Sequence, residues 1–282
     1  MPEITLSTGT IEYEDTGTGP AVVLLHGLLM DSSLWAGPVA DLSADHRCVT
    51  PTLPLGAHRT AMHADADLSL PGIAALVAEF LDRLDLRDVT LVGNDTGGAL
   101  VQLLLDDDRV GRIVLASCDA FDNFPPGLTG HTLLLTGKLP PRLFGLFMAQ
   151  LRLRPMRRLP ISFGWLTKRG DAATKRWLRP VWRQPEIRRD AVRMLRAAAA
   201  DPSFLVRAAE RLPAFDRPAL IVWAAEDRVM PPEHGRRLAA LLPDARHVEV
   251  ADSYTLLPLD QPDQLAQAIR EFTLAADSTR SS

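Results

Sequence analysis

The residues with the clearest chemical potential lie in the stretch Val89–Leu100, VTLVGNDTGGAL. A run of β-branched and aliphatic residues ends in Gly93-Asn94-Asp95-Thr96-Gly97, and a helix-like pattern follows at once. This G-x-D-x-G spacing suits a sharp strand-to-helix turn that projects its central side chain. Glycines two residues to either side remove the side chains that would collide with backbone in such a turn. The helix start offers free N–H groups and the positive end of a dipole, so Asp95 is expected as a carboxylate. An ionised carboxylate can attack carbon with no proton to lose, or act as a general base. The plainer alternative is a glycine-rich turn whose aspartate only caps the helix.

A second constellation stands upstream. Leu24-Leu25-His26-Gly27-Leu28 closes an apolar run, Trp35 follows shortly, and Pro54-Leu55-Gly56-Ala57-His58-Arg59 forms a later loop. Together with the turn at 93–97 and the helix opening Asp260-Gln261-Pro262, these segments make the chain resemble the α/β-hydrolase fold superfamily over about residues 3–273. The resemblance implies an α/β architecture: a mostly parallel eight-stranded sheet flanked by helices, with a helical cap inserted after the sixth strand. It implies that the backbone N–H groups of Leu28 and Thr96 form an oxyanion hole. His26, Trp35, Asn94, Tyr254 and Trp165 are expected to border the substrate. Aspartate at the elbow is similar to the branch of haloalkane and haloacid dehalogenases and epoxide hydrolases. Those enzymes form an alkyl-enzyme ester that a histidine-activated water hydrolyses, which implies a small or medium hydrophobic organic substrate.

The acid that supports such a histidine has two candidate positions, Asp227 after the seventh strand and Asp119 after the sixth, of which Asp227 is preferred. A loop-capping role is the plainer reading of each. Then the pattern departs from the family. Thr255 occupies the place of the histidine, and Tyr254 that of the glycine before it. Three readings follow. Another group activates water, His58 being the candidate because its loop borders the elbow; its alternative is a packed loop histidine. Or Asp95 transfers protons in an elimination, isomerisation or cyclisation. Or the pocket binds a ligand without turning it over. Tyr13 and Tyr254 are the two tyrosines and neither falls in the cap, which argues against the usual epoxide mechanism.

The elements that must position these residues are legible as alternating patterns. Ile4–Leu6 with Thr10–Tyr13 reads as a hairpin, and Ala21–Leu25, Arg47–Thr50, Val89–Val92, Arg112–Ala116, Ala219–Trp223 and Arg246–Val250 as strands. Helical periodicity lies between them, as in Leu70–Leu84 behind Ser69, which argues for a parallel sheet covered on both faces. The core is expected over 1–120 and 215–275, a helical cap over 121–214 and a disordered tail over 276–282. Between Lys138 and Arg196 sixteen Lys or Arg face three acids, Asp171, Glu186 and Asp190. Most of these cations are expected on a solvated face, a minority drawing an anionic substrate. The apolar segment Leu133–Leu151 is expected to wall a pocket, to form a homodimer contact or to touch a membrane surface.

Composition bounds the rest. The chain has 282 residues and a formal net charge of −4, which gives no case for nucleic acid. No apolar stretch reaches the roughly 18 residues of a membrane span, and the opening MPEITLSTGTIEYEDTG is not expected to act as a signal peptide. Cys48 and Cys118 are too few for a disulfide framework or a zinc site, which suits a cytoplasmic protein with reduced thiols. No motif for a metal or organic cofactor is present, and none is expected.

Overall fold

A computed structural model describes the backbone of residues 1–280 and side chains through Ala276. Eight strands form one sheet: β1 (Glu3–Leu6), β2 (Gly9–Thr16), β3 (Ala21–Leu25), β4 (Arg47–Pro51), β5 (Val89–Asp95), β6 (Val110–Cys118), β7 (Ala219–Ala224) and β8 (Ala245–Val250). Their spatial order is β1-β2-β4-β3-β5-β6-β7-β8. β1 and β2 pair as an antiparallel hairpin and β2 is antiparallel to β4; from β4 onward every pairing is parallel. β5, β6 and β7 are buried along their whole length, which is why they read as continuous apolar runs rather than alternating ones.

Local sequence sets several boundaries. The helix Leu70–Arg83 begins where the Ser69 side chain accepts the Gly72 N–H, with Pro71 in its first turn. The last helix, Pro262–Arg280, corrects one expectation: it runs on through 276–280, which were expected to be disordered. Ser281 and Ser282 lie outside the described residues.

Between β6 and β7 the chain carries helices only, the longest being Gly127–Gly137, Pro141–Ala149 and Pro185–Ala200. Buried carboxylates tie this segment to the sheet. Asp260 accepts from Thr167 Oγ1 and from the Lys168, Arg169 and Tyr254 backbone N–H groups. Asp190 accepts the Met62 N–H at 2.9 Å and pairs with His58 at 3.4 Å and Arg193 at 3.0 Å. These partners outweigh the cost of burying Asp190 and hold its carboxyl below the usual range. Asp190→Ala leaves a buried amide and a buried imidazole without their acceptor. It is expected to lower unfolding free energy by about 3 kcal/mol in urea titration.

Candidate active site

Asp95 ends β5 in a conformation few residues tolerate, φ 57° and ψ −131°. The chain then enters the helix Thr96–Leu103. Two glycines make the approach feasible. A Cβ on Gly97 would lie 2.1 Å from the Leu25 carbonyl oxygen, and one on Gly27 would lie 2.1 Å from Asp95 Oδ1. The loop after β3 therefore comes close enough for the Leu28 N–H to reach Asp95 Oδ1 at 3.3 Å. The Thr96 N–H donates to the same oxygen at 2.7 Å. Both expected hole donors thus converge on Oδ1, while Asp95 borders a cavity. Oδ2 accepts none of these bonds and remains for a ligand.

The threonine after Asp95 does more than lend its backbone. Thr96 Oγ1 lies 3.1 Å from Asp95 Oδ1 and 2.9 Å from Asp119 Oδ2. A hydroxyl has one proton to give, so two ionised carboxylates cannot both be satisfied by it. Burial and the nearby Asp95 charge push the Asp119 carboxyl well above the usual range. Burial also raises Asp95, opposed by the Thr96 N–H, the Thr96 hydroxyl and the Leu28 N–H. Asp95 Oδ1 thus accepts two backbone N–H groups, and the two carboxyls compete for the single Thr96 hydroxyl proton.

On the far side of the elbow, Thr255 Oγ1 donates to Asp227 Oδ1 at 2.8 Å. That oxygen also accepts the Val229 and Met230 N–H groups. The acid position after β7 is thus filled and hydrogen-bonded, with a threonine where the family resemblance puts histidine. Burial pushes the Asp227 carboxyl up to about 6, against the pull of those N–H donors and the Thr255 hydroxyl. The sign follows directly: the folded state binds this proton more tightly than the unfolded chain, so its stability is full below the ordinary carboxylate pKa and is lost as pH rises through 6. Asp227→Asn keeps the acceptor and removes the charge. It is expected to be more stable than the wild type by on the order of 2 kcal/mol at pH 8 and equal to it near pH 4, by thermal denaturation.

The cavity over Asp95 measures about 110 Å³ and is walled by Leu29, Met30, Leu133, Met148, Phe163 and Val229 among others. No Lys, Arg or His lines it among the described residues. This corrects the expectation of an anionic substrate: the cap cations sit elsewhere, and a carboxylate ligand would meet Asp95 with no counter-charge. Four polar residues of the wall, Thr129, Thr132, Gln150 and Ser162, are not among the expected site residues. Ser162 Oγ is buried, borders the cavity and has no hydrogen-bond partner, so it can donate to a ligand.

Several expected site residues are placed outside the wall. His26 is buried beneath the loop after β3, where its Nε2 accepts the Leu53 N–H at 2.8 Å. Burial lowers its pKa to about 4, so it is a neutral strut. Asn94 donates to the Ala116 and Thr255 carbonyls, each at 2.7 Å, fastening the loop after β8 to the elbow. Trp35 is fully buried core, and Trp165 packs on the core as a half-buried residue. Tyr254 lies between Lys168 and Arg228, 5.0 and 5.1 Å from its ring. His58 faces Asp190 and is absent from the cavity wall, so it is not positioned to activate water there. Cys48 and Cys118 are buried free thiols, raised by burial to about 12 and well above the usual range.

A family model described as alpha/beta hydrolase fold matches residues 20–262. The chain belongs to the α/β hydrolase fold family. This α/β-fold hydrolase is 27% identical over 270 residues to haloalkane dehalogenase 2 of Mycobacterium tuberculosis (strain ATCC 25618 / H37Rv), covering 94% of the chain and 92% of that relative. It is also 27% identical to a 2-hydroxy-6-oxo-6-phenylhexa-2,4-dienoate hydrolase of Burkholderia cepacia, covering 90% of the chain and 92% of the relative. Among solved structures, a thermophilic esterase from Thermogutta terrifontis superposes with TM-score 0.74 at 20% identity, covering 98% of this chain and 99% of the other. The enol-lactonase from Burkholderia xenovorans LB400 gives TM-score 0.73 at 20% identity, covering 97% and 100%. At that identity the superpositions establish the fold alone.

Proposed function

We propose that Asp95 is the nucleophile of a dehalogenase-like hydrolase acting on a small hydrophobic organic molecule. The observation that carries this reading is the convergence of the Leu28 and Thr96 N–H groups on Asp95 Oδ1. They oppose the upward push of burial on the carboxyl and fix its position, leaving Oδ2 toward an apolar cavity. Oδ2 forms a bond to a saturated carbon as the carbon–halogen bond breaks, and halide departs with the electron pair. Ser162 Oγ is a free donor bordering the same cavity. The product is an alkyl ester of Asp95. Its hydrolysis needs water to attack Asp95 Cγ, with the ester oxygen leaving as alcohol and the resulting oxyanion held by the same two N–H groups. Among the described residues no histidine borders the cavity to take the water's proton, so this second step is slow.

Intact-protein mass spectrometry after incubation with haloalkanes tests the proposal. A stable adduct of substrate mass less hydrogen halide, mapped to Asp95, is expected. Release of halide with no adduct and no label from heavy-oxygen water in Asp95 would count against it. The Thr96 hydroxyl within hydrogen-bond distance of both the Asp95 and Asp119 carboxyls favours one other reading, in which Asp95 exchanges protons with a bound substrate and nothing is hydrolysed. Deuterium uptake into substrate from heavy water, without an adduct, would identify that case.

A further inference from the structure

The cap segment 123–170 contains eight Lys or Arg and no Asp or Glu, in a chain whose formal net charge is −4. The same segment carries most of the large apolar side chains left in water. Leu135, Leu143, Leu146 and Leu153 are 64%, 51%, 67% and 63% exposed. They stand on the helices Gly127–Gly137 and Pro141–Ala149 and on the turn that follows. The inner faces of those helices are already satisfied: Phe144 and Met148 are buried, and Gly137 sits against Leu195. Leu159 and Ile161 are exposed on the same segment and also line the cavity, so exposed apolar side chains of this segment reach the cavity mouth. Around it, Lys138, Arg142 and Arg152 are exposed and have no acidic partner among the described residues.

We infer that this face docks on an anionic lipid surface and takes substrate from it. Leucines flanked by unpaired cations suit the headgroup boundary, where acyl chains receive the apolar side chains and phosphates receive the guanidinium and ammonium groups. The alternative occupant is a second copy of the chain. A two-fold contact would set each cationic rim against its own image, and like charges face to face disfavour it. Phosphate in a nucleic acid would satisfy the cations and leave the leucines unused. The inference stands on surface composition and cavity continuity and does not depend on the chemistry proposed for Asp95.

Vesicle flotation with the full chain tests it, using phosphatidylcholine alone and phosphatidylcholine with about one-third phosphatidylglycerol. The wild type is expected to float with the anionic vesicles, at least about tenfold more than with the neutral ones, and to detach as salt rises. Leu146→Asp with Leu153→Asp is expected to abolish flotation, and Arg142→Glu with Arg152→Glu to weaken it about tenfold or more. None of these four residues lines the cavity, and unchanged circular dichroism would show that the variants fold. Absence of flotation, or equal flotation of wild type and both variants, would overturn the inference. So would a dimer in sedimentation equilibrium that the Leu146/Leu153 variant dissolves, since that result places a second copy on the face.

Discussion

Replacing Thr255 with histidine is expected to turn the slow second step of the proposed reaction into full turnover. In the wild type, Thr255 Oγ1 donates its proton to Asp227, and a threonine hydroxyl is too weak a base to take a proton from water. A histidine at 255 would find its supporting carboxylate already present and already bonded by the Val229 and Met230 N–H groups. The surroundings are polar enough for a ring: Asp227 Oδ2 and Asn94 Oδ1 are buried acceptors with no hydrogen-bond partner. General-base assistance contributes about 10²–10⁴-fold, so loss of the Asp95 adduct should accelerate by at least about a hundredfold. Thr255 is fully buried, and the larger ring is expected to cost about 1–3 kcal/mol of stability. The measurement is the decay of adduct mass and the number of alcohol equivalents released, with Thr255→Gln as a control of similar size. A folded Thr255→His protein whose adduct persists as long as the wild type's would show that something other than the missing base blocks the second step.

How much of this site could be read from the chain depends on whether the information was local. The elbow is local: glycines, a strand and a helix start within twelve residues leave few alternatives, and the Asp95 backbone adopts the strained turn that such spacing demands. The hole loop at Gly27-Leu28 is local for the same reason, since the Cβ missing from Gly27 is what admits Asp95 Oδ1. The direction of a side chain on a distant loop is not local. His58 belongs to the correct loop, yet a buried carboxylate 132 residues away, Asp190, decides where its ring points. Trp35 and Tyr254 are near the site in sequence pattern, and one is consumed by the core while the other is drawn out between two cations. Thr96 was foreseen for its N–H; its hydroxyl bridges two carboxyls only because β6 delivers Asp119 alongside. The apolar composition of Leu133–Leu151 was evident, but helix packing alone determines that Leu133 faces the cavity while Leu135, Leu143 and Leu146 face water.

Asp95→Asn separates chemistry from architecture and carries the largest expected loss. An amide has no anionic oxygen with which to displace halide, so adduct formation should fall by about ten-thousandfold or more, to background. Stability should not fall with it. The asparagine Oδ1 can still accept the Leu28 and Thr96 N–H groups, and asparagine tolerates positive φ better than most residues. What disappears is a buried charge whose cost is visible in the raised pKa of Asp95 itself. The contrast with Asp190 is informative. That carboxylate is also buried, but its partners hold its pKa down, and it binds the cap to the loop after β4. Removing Asp190 should weaken the fold; neutralising Asp95 should leave thermal stability equal or higher. Three buried carboxyls with raised pKa, at 95, 119 and 227, are a burden the fold does not need, which is the pattern expected where function sets the residues. If Asp95→Asn instead unfolds several degrees below the wild type while its adduct formation is unchanged, Asp95 is a structural cap and the nucleophile lies elsewhere.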